Sequence, residues 1–116
     1  MIDWEELAQG QVAAIQRRLP EPVRARALEV PVFFSREREG EKRAPYLGLF
    51  EGYSLKEGPP AQPDELPRIT LFINVLAQVT RCQRDRFLHE VRITYPHELG
   101  HYFGWDEGQV SRAGLA

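Results

Sequence analysis

The 116-residue sequence predicts a small α+β domain. Three observations carry that prediction: an amphipathic stretch opens the chain, three short β-branched or aromatic runs follow, and a long helical pattern comes near the end. A small mixed or antiparallel sheet is expected to pack on the N-terminal helix and on the C-terminal one. No internal repeat or dividing linker interrupts this order, so residues 1–116 are expected to form a single domain.

Residues 4–18 carry Trp4, Leu7, Ala8, Val12, Ile15 and Leu19 at spacings of three and four, one apolar helix face. Asp3 with Glu6 three residues on has the spacing of a capping box. Pro20 and Pro22 end this helix, and Pro22 suits the first turn of a short second helix to about Leu28. The run "VPVFF" (30–34) predicts a strand, with Pro31 placing it at a sheet edge or a strand start. Residues 35–44, "SREREGEKRA", form a solvated mixed-charge loop. "YLGLFEGY" (46–53) predicts a second strand, where Gly48 and Gly52 mark bulges or a turn. Residues 56–67 hold Pro59, Pro60, Pro63 and Pro67 and are irregular. "RITLFINV" (68–75) predicts a third strand with Ile69, Leu71 and Ile73 on one side. Its edge is a place where an extended peptide can pair. Helical structure is expected at 76–81 and again from about Arg84 to Phe103, where Phe87, Leu88, Val91, Tyr95 and Leu99 form a buried stripe.

The last helix carries the chemistry. His97-Glu98-Leu99-Gly100-His101 is an H-E-x-x-H motif. Residues four apart on a helix lie one above the other, so His97 and His101 can offer two imidazole nitrogens to one metal ion. Glu98 is turned from His97 by roughly 100°, beside the metal, where it can take a proton from a metal-bound water without being a ligand. The pattern continues through Gly104 to Glu107. A glycine three residues past the second histidine can end the helix in the left-handed conformation. The chain then folds back, and a carboxylate can complete three protein ligands while one position stays open. Glu107 stands at the spacing for that third ligand, and Asp106 is the competing candidate. Pro96 removes a backbone hydrogen bond just before the motif, so the helix either kinks there or restarts with Thr94 as its cap. Gly100 costs about 0.5–1 kcal/mol relative to alanine inside a helix, which points to close approach by another element.

The stretch "VRITYPHELGHYFGWDE", preceded by "LGLFEGYS" and "LPRITLFIN", resembles the small bacterial zincin-like metallopeptidase family. The resemblance runs from about Val30 to Glu107 and is strongest from Val91 onward. It implies a compact α+β zincin-like fold with the metal site on the last or penultimate helix. Carried over by position, it makes His97 and His101 zinc ligands, Glu98 the general base, and Glu107 or Asp106 the third ligand. Pro96 departs from the aliphatic residue expected before the first histidine.

Composition narrows the function classes. Hydrophobic residues at 42% and charged residues at 28% suit a soluble globular protein. A net charge of −2 with pI near 5.9 argues against nucleic acid as the main partner. No apolar run reaches the roughly 18 residues of a membrane span, and the N-terminus has no signal-peptide pattern, so a cytoplasmic location and no membrane partner are expected. Cys82 is the sole cysteine and is expected to be a small buried apolar residue. His89 lies about 12 Å along the helix from His97 and is expected to be a plain helix residue. Tyr95, Tyr102 and Trp105 are expected to pack the core, with donation of a hydrogen bond to an oxyanion as the alternative. The function predicted is a zinc metallopeptidase with one Zn2+ per chain, acting on a peptide or protein substrate. The alternatives are a non-catalytic or vestigial metal-binding protein, a non-haem iron site, or a module whose cleft a partner completes. The missing methionine turn of the metzincins is what gives the non-catalytic alternative its force, because the only methionine is Met1.

Overall fold

A computed structural model describes residues 1–36, 46–59 and 66–112. The chain begins with α1 (Trp4–Arg18) and α2 (Glu21–Ala27), then runs through β1 (Val32–Ser35), β2 (Gly48–Glu51) and β3 (Arg68–Phe72). It ends with α3 (Ile73–Val79), α4 (Arg84–Phe103) and α5 (Glu107–Arg112). This is the α+β arrangement expected. The 56–67 segment is described only in part, and most of the 35–44 loop lies outside the described residues.

α1 starts where its cap requires. The Asp3 side chain accepts from the Glu6 backbone N–H at 3.0 Å, satisfying a donor that the first turn leaves without a helical partner. Glu5 and Glu6 at its start and Arg17 and Arg18 at its end complement the helix dipole. Ala8 and Val12 are buried, with Trp4, Leu7 and Ile15 packed beside them. Pro20 caps α2, and Pro22 occupies its first turn.

The sheet has the order β1-β3-β2. β1 is parallel to β3 with Val32 opposite Ile69, and β2 is antiparallel to β3 with Gly48 opposite Leu71 and Phe50 opposite Ile69. Two expectations change here. β3 is the central strand, paired on both sides, so it offers no edge to a peptide; β1 and β2 form the edges. It also ends at Phe72, three residues short of the expected strand, and α3 begins at Ile73. The apolar run continues across that junction because Ile73, Val75, Leu76 and Ala77 are buried from a helix instead.

α4 packs on β2 and β3 along one side and on α1 along another. Phe87, Val91, Tyr95 and Leu99 are fully buried along it, and Leu88 is half-buried. The Trp4 and Phe87 rings meet at 4.8 Å with a 54° tilt, joining α1 to the start of α4. Gln16 of α1 donates to the Tyr95 hydroxyl at 3.1 Å. α4 runs without a break across Pro96, so Thr94 lies inside it, buried, and is not the cap of a second segment. The carbonyl that Pro96 deprives of a donor belongs to Arg92, a solvent-exposed residue where water can substitute. Cys82 also departs from expectation. It is exposed, in a turn where Arg81 and Cys82 both have φ of 55°, so the turn geometry and not apolar packing decides its place. No helix among the described residues is long and apolar enough to cross a membrane.

Candidate metal centre

His97, Glu98 and His101 come together on the face of α4 that looks past β2 toward solvent. Their ligand-type atoms all lie within 4.8 Å of one another. The imidazole rings are 5.0 Å apart and nearly perpendicular at 89°. His101 Nε2 stands 3.9 Å from Glu98 Oε1. Both histidines are exposed, whereas the Glu98 side chain keeps only 13% of its accessible surface. Its shelter is β2: a Cβ built on Gly48 would come within 3.3 Å of Glu98 Cγ. The site thus has a wet side, where the imidazoles stand, and a sheltered side, where the carboxylate stem lies.

The donor set suits a divalent ion of the zinc type. Two nitrogens bound tetrahedrally at about 2.0–2.1 Å stand about 3.3 Å apart. Small rotations of two exposed imidazoles, with terminal torsions that are broad and soft, cover the difference.

Past His101 the helix ends as the glycine spacing requires. Gly104 is left-handed at φ 72°, ψ 29°. Its N–H donates to the His101 carbonyl at 3.1 Å and the Trp105 N–H to the Gly100 carbonyl at 3.0 Å, the paired bonds of a Schellman ending. A Cβ on Gly104 would meet Lys56 Cβ at 2.9 Å. Lys56 belongs to a turn in which Ser54 Oγ donates to Glu57 Oε1 at 3.0 Å and the Glu57 N–H donates to Ser54 Oγ at 3.2 Å. The Leu55 N–H donates to the Tyr102 carbonyl at 2.7 Å, so this turn is tied to the end of α4.

Asp106 and Glu107 differ in role. The Asp106 carboxylate accepts from the Gln109 N–H at 2.8 Å while the Asp106 N–H donates to Gln109 Oε1 at 2.9 Å. That reciprocal pair caps α5. Glu107 opens α5, and its side chain lies outside the described residues. Tyr95 and Tyr102 are buried, and burial pushes both phenols above their ordinary range; for Tyr95 the Gln16 hydrogen bond opposes the shift. Trp105 is half-buried and stacks on Phe103 at 4.3 Å. His89 is exposed on α4, outside the His97, Glu98 and His101 group.

Sequence reasoning took Gly48 for a bulge or turn marker, whereas it pairs in regular register with Leu71, and it missed Phe50. The Phe50 ring lies 6.5 Å from that of His101 at an 18° interplanar angle, and 6.1 Å from that of Tyr102. A glycine two residues from an aromatic in a short strand was the only local signal, and it does not say which helix the strand will face.

Two imidazoles four residues apart with a glutamate between them, on a helix packed against a small mixed sheet, define the zincin class of metal-binding domain. The chain belongs to the zincin-like metallopeptidase family, whose model matches residues 28–115. No curated protein matches the chain. The family implies a zinc cofactor and a hydrolase, and the His97, Glu98 and His101 group has the chemistry to bind a metal.

Proposed function

We propose that this protein is a zinc-dependent metallopeptidase that hydrolyses peptide bonds, with His97, His101 and Glu107 as ligands of one Zn2+ and Glu98 as general base. The observation that carries the reading is the convergence of the two imidazoles and the sheltered carboxylate within 4.8 Å, in a chain of a metallopeptidase family. Asp106 is already engaged in capping α5, which favours Glu107 as the third ligand.

Zinc held there would supply a Lewis acid for the scissile carbonyl and would acidify water at its open position. The chain's own residues do the rest. Glu98 Oε1 accepts a proton as water adds its oxygen to the carbonyl carbon. The same carboxyl then delivers that proton to the amine as the C–N bond breaks. Lying beside His101 but sheltered by β2, Glu98 stands near the reacting atoms with little freedom to swing away. The outer edge of β2 pairs with no strand among the described residues, so an extended substrate can add there by main-chain hydrogen bonds. The partner of the reading is accordingly a peptide or protein, not nucleic acid or a membrane, and the location is cytoplasmic.

Glu98→Gln tests the reading. The variant should keep about one zinc per chain and lose at least about 100-fold in turnover of a protein substrate, as expected for a lost general base. A variant that retains both zinc and turnover would sink the assignment of Glu98. A wild type that holds zinc but shows no difference from the variant in any hydrolysis assay would favour a non-catalytic metal protein.

A further inference from the structure

β2 touches the metal centre at two points, and they have different chemistry. Side chains on one face of a strand recur at every second residue. Gly48 and Phe50 are such a pair, opposite the buried Leu71 and Ile69 of β3, and both look toward α4. At Gly48 the constraint is space, because its φ is outside the left-handed region. A Cβ there would lie 2.7 Å from Thr94 Cγ2, 3.2 Å from Leu71 Cδ2 and 3.3 Å from Glu98 Cγ. Any side chain at 48 must therefore displace the Thr94 methyl or the helix turn that carries it, and it presses on Leu71 and on the stem of Glu98 as well. Phe50 lies one step along the same face, with its ring roughly parallel to that of His101 and tilted against that of Tyr102.

We infer that β2 is the positioning strand of the centre: the missing side chain at Gly48 sets where Glu98 stands, and the Phe50 ring braces the His101 imidazole. This rests on the proposed roles of Glu98 as base and His101 as ligand. The physical basis is ordering. His101 keeps 55% of its side-chain surface exposed, and the terminal torsion of a histidine is broad. An imidazole with no neighbour would sample many orientations, and metal binding would have to select one. A ring stacked beside it removes part of that cost in advance. Glu98 has one more torsion than an aspartate, and its stem lies against the space that Gly48 leaves open.

The test uses the full chain and four variants: Gly48→Ala, Gly48→Ala with Thr94→Ser, Phe50→Ala and Phe50→Tyr. Urea unfolding confirms that each is folded. Zinc affinity is measured by chelator competition, and Co2+ visible absorption reports the geometry around the ion. Phe50→Ala should weaken zinc binding about 10–100-fold, the usual cost of losing a neighbour that orients a ligand, and alter the Co2+ spectrum. Phe50→Tyr, which keeps the ring, should restore both. Gly48→Ala should leave zinc affinity within about threefold, since no ligand moves, yet shift the Glu98 side-chain resonances in NMR spectra of the metal-free protein. Thr94→Ser removes the methyl nearest the new Cβ and should return those resonances toward wild type.

A Phe50→Ala protein with wild-type zinc affinity and Co2+ spectrum would overturn the bracing role. Unmoved Glu98 resonances in Gly48→Ala would overturn the spacing role. A wild type that takes up no zinc would instead overturn the reading of the site itself, and the role of Phe50 with it. Uptake by the wild type with unchanged variants would overturn this inference alone.

Discussion

Gly104 has two reasons to be glycine. Its φ of 72° is the left-handed conformation that a side chain resists, and Lys56 occupies the place a Cβ would take. Its N–H and the next one close the carbonyls of His101 and Gly100, so the last turn carrying His101 is held by this residue. Gly104→Ala should lower stability by about 1–3 kcal/mol, combining backbone strain with the contact at Lys56. The midpoint of urea unfolding measures it, and an alanine variant as stable as wild type would mean that the left-handed turn is dispensable. The H-E-x-x-H triplet was legible from sequence because helical spacing alone brings residues one and four apart onto neighbouring faces. Gly48 and Phe50 were not, because their meaning depends on a strand some fifty residues away from the helix it shelters, and no local period encodes that contact. Cys82 misled for a related reason: apolar character argues for burial only inside a periodic element, and Cys82 sits in a turn with φ of 55°.

At the scale of elements, the ends of α1 and α4 were legible because caps and breakers mark them. Asp3 and Glu6 start one, Pro20 follows its end, and Gly104 stops the other. The β3–α3 junction was not, since Ile69, Leu71 and Ile73 satisfy a strand's alternation while Ile73, Val75, Leu76 and Ala77 equally satisfy a buried helix. A similar ambiguity covers Asp106 and Glu107, adjacent carboxylates at the start of α5, and here geometry makes a prediction. Asp106→Ala removes the cap of α5 and should cost about 0.5–2 kcal/mol of stability with little loss of zinc. Glu107→Ala should cost little stability in the metal-free protein and weaken zinc binding far more. Paired zinc titrations and unfolding curves of the two variants measure both effects. The reverse ranking in zinc affinity would transfer the third ligand to Asp106 and leave α5 capped by a residue with two duties.

Across the whole molecule, α4 joins the metal centre to the core. Its buried side carries Phe87, Val91, Tyr95 and Leu99, which pack among α1 and the sheet, and its other side carries His97 and His101. An ion that binds only when those two imidazoles share a helix turn therefore stabilises the entire fold and not a local loop. With free zinc at about a hundred times its dissociation constant, the linkage is worth about 2.7 kcal/mol. For a chain of this length that corresponds to a rise in Tm of roughly 10 °C. Calorimetry of the zinc-loaded protein with and without chelator should give one cooperative transition that moves by that order. His97→Ala and His101→Ala should unfold at the temperature of the chelated wild type and ignore added zinc, because one remaining imidazole cannot hold the ion with comparable affinity. A zinc-dependent shift of equal size in either variant would mean that the ion stabilises the protein somewhere other than on α4, and the link between this helix, the metal and the fold would be lost.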